Sequence, residues 1–395
     1  MLARPGRPVT VSLDLTPRAS AVTSAALAVT TNSRGCPREQ VFALVSESLR
    51  ALQGAGATLL YKKLDSNLRG HLGAELAAVL TVTGGPILFA PAFPARGRTT
   101  VDGTVRVNGT PVAETEMGRD PQSPVTHSRV ADLLRYQEPL LVVAECPLAE
   151  VRRGPEAILA RLAPGSVLVA DAETDADLDL LAEAALTADV APALAGSAGF
   201  ADALGRRLLG PRSRTAWPKE TRGPVFGLLA SSSPNLQTQA AQAAQVGLTV
   251  VPFPSEKLSR RDEPVPEVDA TLAQAGPVLA AGRDVLICAT GDLPDVEHPV
   301  ELVVEHLAHL AFVLIKGAHP QALLVGGGST AQAVLGALGA QALAIDDEPL
   351  SGIAAGLTVG GDFAGHPIVL KPGAAGGPEA VAELIHYLGR RVQED

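Results

Sequence analysis

The 395-residue chain is poor in aromatic side chains, at 3%, and has only one tryptophan, two methionines and three cysteines. Cys36, Cys146 and Cys288 lie far apart in sequence. They therefore form no CxxC metal pair, and their odd number argues against a disulfide framework. Basic blocks are also missing: Lys+Arg 32 against Asp+Glu 42 leaves a net charge of −10 and a pI near 5.4. Contact with a phosphate backbone needs a concentrated basic surface, so nucleic acid is not an expected partner. Long hydrophobic runs are absent as well. Stretches such as Ala311 to Ile315 stop within a few residues, far short of the roughly 20 that cross a bilayer, so no membrane association is expected. Arg4 and Arg7 precede an apolar run, but Pro5, Pro8, Asp14 and Pro17 break any signal-peptide core. The expected setting is cytoplasmic and reducing.

What is present suffices for a folded protein. Hydrophobic residues make up 46% and charged residues 19%, a balance that excludes wholesale disorder, and the length suits two domains. Short apolar strand-like runs alternate with Ala/Leu/Glu-rich helical stretches, which predicts α/β layers with mostly parallel sheets flanked by helices. In the first half the pattern predicts strands at Pro8–Leu13, Ala25–Thr30, Ala57–Lys62, Pro86–Ala90, Leu140–Ala144 and Ser166–Ala170. Helices are expected at Pro37–Gly54, Leu72–Leu80, Asp175–Thr187 and Ser197–Leu209. The charged, proline-bearing stretch from Pro211 to Pro224 reads as a linker. Beyond it the alternation resumes: strands at Val225–Ala230, Leu248–Val251, Val285–Thr290 and Ala322–Val325 and around Val369, with helices at Asn235–Gln245, Pro299–Lys316 and Ser329–Leu338 and a last one near the end. Ser255–Glu267 reads as an exposed loop. The expected division is one domain over residues 1–210, a linker over 211–224 and a second domain over 225–395.

Polar residues concentrate where strands are expected to end. Tyr61-Lys-Lys-Leu-Asp-Ser-Asn-Leu-Arg-Gly-His71 lies between a strand and a helix, which puts Asp65, Ser66 and Arg69 at the ligand-binding edge of an α/β sheet. Lys63 and Arg69 can grip a carboxylate or phosphate, and Asp65 can accept a hydroxyl proton. A helix cap by Asp65 or Ser66 with a surface ion pair is the alternative. Arg96-Gly-Arg98 is a second anion-binding candidate or a plain structural loop, and Thr115 and Asp120 follow in a long irregular segment. In the second half, Gly326-Gly-Gly-Ser-Thr330 joins a strand to a helix N-terminus, where backbone amides and the helix dipole favour phosphate. It is neither a Walker A loop nor GxGxxG. Ser231-Ser-Ser-Pro234 and Lys371-Pro-Gly-Ala-Ala-Gly-Gly377 are similar turns, and three in one domain suggest a nucleotide cradle. His306 and His309 share a helix at i, i+3 but lack a third ligand. Ser197 within Gly196-Ser-Ala-Gly199 reads as a helix N-cap rather than a hydrolase nucleophile.

In this order the motifs resemble those of the four-carbon acid sugar kinase family, which phosphorylates threonate, erythronate or oxo-tetronates with ATP. The match lies in Lys62–Gly70 with Gly73 and Glu75, Ala90–Arg98, Val101-Asp-Gly103, Thr115, Asp120, Gly196–Gly199, Ser231–Pro234, Gly326–Ala331 and Lys371–Gly377. The resemblance implies an N-terminal sugar-acid domain and a C-terminal ATP domain facing each other across a cleft. Asp65 would then be catalytic, and Lys63, Ser66, Arg69, Gly70 and Arg98 would bind the substrate. Ser231, Ser233, Gly327, Gly328, Ser329, Thr330, Gly373 and Gly376 would hold ATP, with Mg²⁺ on its phosphates. A homo-oligomer is compatible with this reading. Family members normally open on a strand ending in Asp-Asp-Leu-Thr-Gly-Ala, which this sequence lacks. The first strand is thus expected to be missing, through a start codon placed inside the true protein or through a real truncation. The alternative to an active kinase is a non-catalytic family member that binds a small acid or nucleotide.

Overall fold

The computed structural model describes residues 9–13, 26–120, 123–188, 191–210, 223–230, 234–258, 265–373 and 375–390. The expected linker and the expected ATP contacts Ser231 and Ser233 lie outside the described residues, apart from the linker's last two positions. Two compact units divide near residue 212, and the segment holding the first strand belongs to the second unit. No helix among the described residues is long and apolar enough to cross a membrane.

In chain order the elements up to residue 210 are β1 (Val9–Ser12), β2 (Ala26–Val29), α1 (Arg38–Gly54), β3 (Tyr61–Lys63), α2 (Leu72–Thr83), β4 (Ile87–Ala90), β5 (Arg98–Val101), β6 (Thr104–Val107), β7 (Thr110–Pro111), α3 (Val130–Gln137), β8 (Val142–Cys146), α4 (Leu148–Val151), α5 (Pro155–Leu159), β9 (Ser166–Ala170), α6 (Asp175–Thr187), β10 (Ala193–Gly196) and α7 (Ala198–Leu209). The first unit is built on a five-stranded sheet in the order β3-β10-β4-β9-β8, parallel throughout. Every residue of β4 and β9 is buried, because helices cover both faces. Side chains alternate accordingly: Ile87, Phe89, Val167 and Val169 pack with α1 and α2, and Leu88, Ala90, Leu168 and Ala170 pack with α6 and α7. Ser197 caps α7 as expected, its Oγ accepting from the amides of Gly199 and Phe200.

The second unit contains β11 (Val225–Leu229), α8 (Pro234–Gln245), β12 (Thr249–Pro254), α9 (Pro266–Ala280), β13 (Val285–Thr290), α10 (Pro299–Ala318), β14 (Ala322–Gly326), α11 (Gly328–Ala337), β15 (Ala342–Leu350), β16 (Ile353–Val359), β17 (Pro367–Lys371) and α12 (Ala380–Arg390). Its sheet runs β12-β13-β11-β14-β17-β16-β15-β1, with β12-β13-β11-β14-β17 parallel and β17-β16-β15-β1 antiparallel.

Three expectations need correction. Residues 1–210 do not all belong to one unit, because β1 pairs antiparallel with β15, from Val9 opposite Ile345 to Ser12 opposite Ala342. The Val-Thr-Val-Ser alternation suits a strand with one face on a core, and Val11 and Leu13 supply that face to the second unit. The Ser255–Glu267 stretch is not exposed throughout: Ser255 and Leu258 are buried, the Ser255 hydroxyl donates to the Thr290 carbonyl at 2.7 Å, and α9 begins at Pro266. The irregular stretch after Arg96 contains a three-stranded meander, β5-β6-β7.

Candidate active site

Strand register in the first unit brings the expected substrate residues to one sheet edge. Lys63 at the end of β3 lies opposite Gly196 of β10, which lies opposite Ala90 of β4. The segments that follow these three strands therefore leave the sheet side by side, at its carboxyl edge. The Leu64 amide donates to the Gly196 carbonyl at 2.7 Å and anchors the start of the Asp65 loop. Leu68 then adopts a left-handed conformation (φ 61°) and its amide donates to the Asp65 carbonyl at 3.0 Å, turning the chain so that Arg69 comes back over Asp65.

Asp65 is the centre of a charge cluster. Its Oδ2 accepts from Arg69 Nε at 2.7 Å and lies 3.8 Å from Arg34 Nη2. Arg69 also reaches across to Asp120, with Nη1 3.2 Å from Oδ2. The same Asp120 accepts from the Ser123 amide at 2.9 Å through Oδ1, and Ser123 Oγ accepts from the Gly70 amide at 2.7 Å. Gln137 closes the far end of the loop, donating to the Gly70 carbonyl at 2.9 Å and accepting from the Gly73 amide at 2.8 Å. Arg98, the first residue of β5, donates from Nε to Asn67 Oδ1 at 3.1 Å, so it joins the same loop. Its neighbour Arg96 departs from the site and lies over the Phe93 ring. Beneath the loop, Lys62 pairs with buried Glu75 at 3.1 Å, and Glu75 also accepts from Ser33 Oγ.

Burial alone would raise the Asp65 carboxyl. The Arg69 hydrogen bond and the charges of Arg69, Arg34 and Lys63 prevail and hold it below the usual carboxylate range, so it is ionised at neutral pH. The Lys63 ammonium is lowered too, which for a cation favours the neutral form. Loss of solvation around its charge, with repulsion from Arg34 and Lys62, lowers it against the pull of Asp65 and Glu75, although part of the residue remains exposed. Lys63 and Ser66 make no side-chain hydrogen bond or ion pair among the described residues. Lys63, Asp65, Ser66, Arg69, Gly70 and Arg98 thus share one site. Three members had no role assigned from the sequence. Arg34 enters from the Ser33–Gly35 turn after β2, and Asp120 and Glu75 were visible only as letters of a motif. The signal for Arg34 was its place in Asn32-Ser-Arg-Gly35, a polar turn just past a strand.

In the second unit, Leu229 of β11 is opposite Gly326 of β14, and Gly326 is opposite Lys371 of β17. Gly327, Gly328, Ser329, Thr330, Gly373 and Gly376 therefore come from neighbouring strand ends. Gly327 caps α11 at φ 103°, its amide donating to the Lys371 carbonyl at 3.0 Å. A Cβ on Gly327 would lie 2.9 Å from the Ala230 carbonyl oxygen, so glycine is required by both conformation and space. The first-turn amides of α11 point along the helix axis with no intrahelical acceptor, a phosphate-binding geometry. Thr330 is buried, while Gly328 and Ser329 are exposed. Lys371, also buried, directs its Nζ to the Gly373 carbonyl at 3.0 Å, and burial pushes its ammonium below the ordinary lysine value.

Comparison with known proteins matches both halves. Residues 1–204 fit the model of a sugar-binding N-terminal domain, and residues 227–381 fit that of a nucleotide-binding C-terminal domain. The chain is 30% identical to the D-threonate kinase of Salmonella typhimurium over 92% of its own length and 88% of the relative's. It is 33% identical to the D-threonate kinase of Bordetella bronchiseptica, covering 92% and 86%. It is 29% identical to the D-erythronate kinase of Heliobacterium modesticaldum, covering 93% and 88%. Among solved structures, a Haemophilus influenzae protein shares the fold with a TM-score of 0.75 at 18% identity, over 98% of this chain and 94% of that one. The loop motifs, their meeting at two sheet edges and the match of both domains agree: the chain belongs to the four-carbon acid sugar kinase family.

Proposed function

We propose that the protein is an ATP-dependent kinase that phosphorylates a hydroxyl of a four-carbon sugar acid of the threonate, erythronate or oxo-tetronate type. The observation that carries this reading is the ionised Asp65 carboxylate held among Arg34, Lys63 and Arg69 at the carboxyl edge of the first sheet. Arg69 is already matched by two carboxylates, Asp65 and Asp120, and so acts as a scaffold. Arg34 and Lys63 retain capacity for the substrate's carboxylate, and Arg98 and Ser66 lie within the same loop system to meet its hydroxyls. Arg34, Lys63, Arg69 and Arg98 outnumber the carboxylates Asp65 and Asp120, so the site carries net positive charge, which suits a carboxylate substrate.

Asp65 is too acidic to be a strong base, but phosphoryl transfer does not need one. The transition state is largely dissociative, so a carboxylate that orients the attacking hydroxyl and receives its proton late is sufficient. The second unit supplies the α11 N-terminus and the Lys371 turn for the nucleotide's phosphates. Mg²⁺ bound to ATP would neutralise charge on those phosphates, and the hydroxyls of Ser329 and Thr330 are the side-chain oxygens at that loop that could face it. The test is ADP release from ATP with a panel of tetronates. Turnover with at least one is expected. No turnover with any, combined with retained calorimetric binding of acid or nucleotide, would sink the kinase reading and leave a binding protein.

A further inference from the structure

The turn after β17 has its carbonyl groups taken up by side chains. Gln239, fully buried on α8, donates from Nε2 to the carbonyls of Ala375 at 3.1 Å, Gly376 at 3.1 Å and Gly377 at 2.9 Å. Asn235, one helical turn earlier, donates to the Gly376 carbonyl at 3.1 Å. Lys371 occupies the carbonyls on the other flank, Gly373 at 3.0 Å and Pro372 at 3.4 Å. The orientation of the Gln239 amide is fixed by this network: its oxygen finds no partner among the described residues, yet reversing the group would set that oxygen against three carbonyls. The amides of Gly376 and Gly377, in contrast, make no hydrogen bond among the described residues. A turn whose carbonyls are engaged and whose amides are available accepts an anion, and buried Lys371, with no carboxylate partner among the described residues, adds positive charge beside it.

We propose that Gln239 is a positioning residue for nucleotide binding. Its carboxamide, assisted by Asn235, fixes the Ala375–Gly377 turn so that the Gly376 and Gly377 amides meet a phosphate of the nucleotide. This inference rests on the reading of the second unit as the ATP-binding half. It is tested on the full chain by calorimetric titration with ADP and by steady-state KM values for both substrates, comparing wild type with Gln239→Met and Asn235→Ala. Gln239→Met should weaken ADP binding about tenfold or more and raise the KM for ATP, with the KM for the sugar acid unchanged. Asn235→Ala, which removes one of the four bonds, should weaken ADP binding about threefold. Full ADP affinity in folded Gln239→Met overturns the inference and leaves the kinase reading standing, even if the melting temperature falls. Should Gln239→Met not fold, unchanged ADP affinity in Asn235→Ala overturns it instead. Wild-type protein that binds no ADP overturns both.

Discussion

At the scale of single residues, the proposed substrate site in the first unit divides into charges paired with one another and charges left for a ligand. Arg69 bridges Asp65 and Asp120 with a planar fork that an ammonium cannot imitate. Arg69→Lys should therefore fare nearly as badly as Arg69→Ala, each lowering kcat/KM about 10²-fold in the ADP-release assay. Lys63 gives a pH signature. Its ammonium is lowered from the ordinary lysine value, so it loses charge earlier on a rising pH scale than an exposed lysine. The KM for the sugar acid should accordingly rise with pH below about 10, the range where free lysines titrate, and Lys63→Arg should abolish that rise. Much of this site was legible because Lys63, Asp65, Ser66, Arg69 and Gly70 are contiguous, and a polar run between a strand and a helix has a known place in an α/β sheet. Arg34 and Asp120 were not, because Arg34 reaches Asp65 from 31 positions earlier in the sequence and Asp120 reaches Arg69 from 51 positions later.

At the scale of elements, the fully buried strands and the amphipathic helices were readable, since period and composition agree for each: Ser166–Ala170, Asp175–Thr187 and Val285–Thr290 have the boundaries expected for them. The meander β5-β6-β7 was overlooked although its signals are local. Asp102-Gly103 and Asn108-Gly109 both carry positive φ, at 52° and 69° and at 50° and 87°, and are flanked by Thr and Val, the pattern of tight type I′ hairpins. Helix α9 likewise announced itself by Pro266 at its first turn with Glu267 and Asp269 following. The junction between β14 and α11 makes its own prediction. Gly327→Ala places a methyl 2.9 Å from the Ala230 carbonyl at a backbone conformation that alanine resists. It should destabilise the second unit by about 1–3 kcal/mol, measured by urea unfolding, and weaken ADP binding beyond what the remaining folded fraction explains.

At the scale of the whole molecule, pairing between distant segments was what sequence patterning could not supply. β1 was recognised as a strand, but the partner of a strand is set by the sheet edge that remains to be covered, here that of β15, more than three hundred positions later. A chain without residues 1–13 should therefore lose hydrogen-exchange protection along Ala342–Ile345 by about tenfold or more, while Ile87–Ala90 and Ser166–Ala170 of the first unit remain protected. The proposed reaction transfers a phosphoryl group to a four-carbon sugar acid with Asp65 at the reacting hydroxyl. The most direct measurement is phosphorus NMR of a reaction containing ATP, Mg²⁺ and a tetronate, run with wild type and with Asp65→Asn. A new phosphate-ester signal equal in amount to the ADP formed, and reduced about 10²-fold or more in rate by Asp65→Asn, is the predicted result. ADP accompanied only by inorganic phosphate, or ester formation at an undiminished rate in Asp65→Asn, would contradict it.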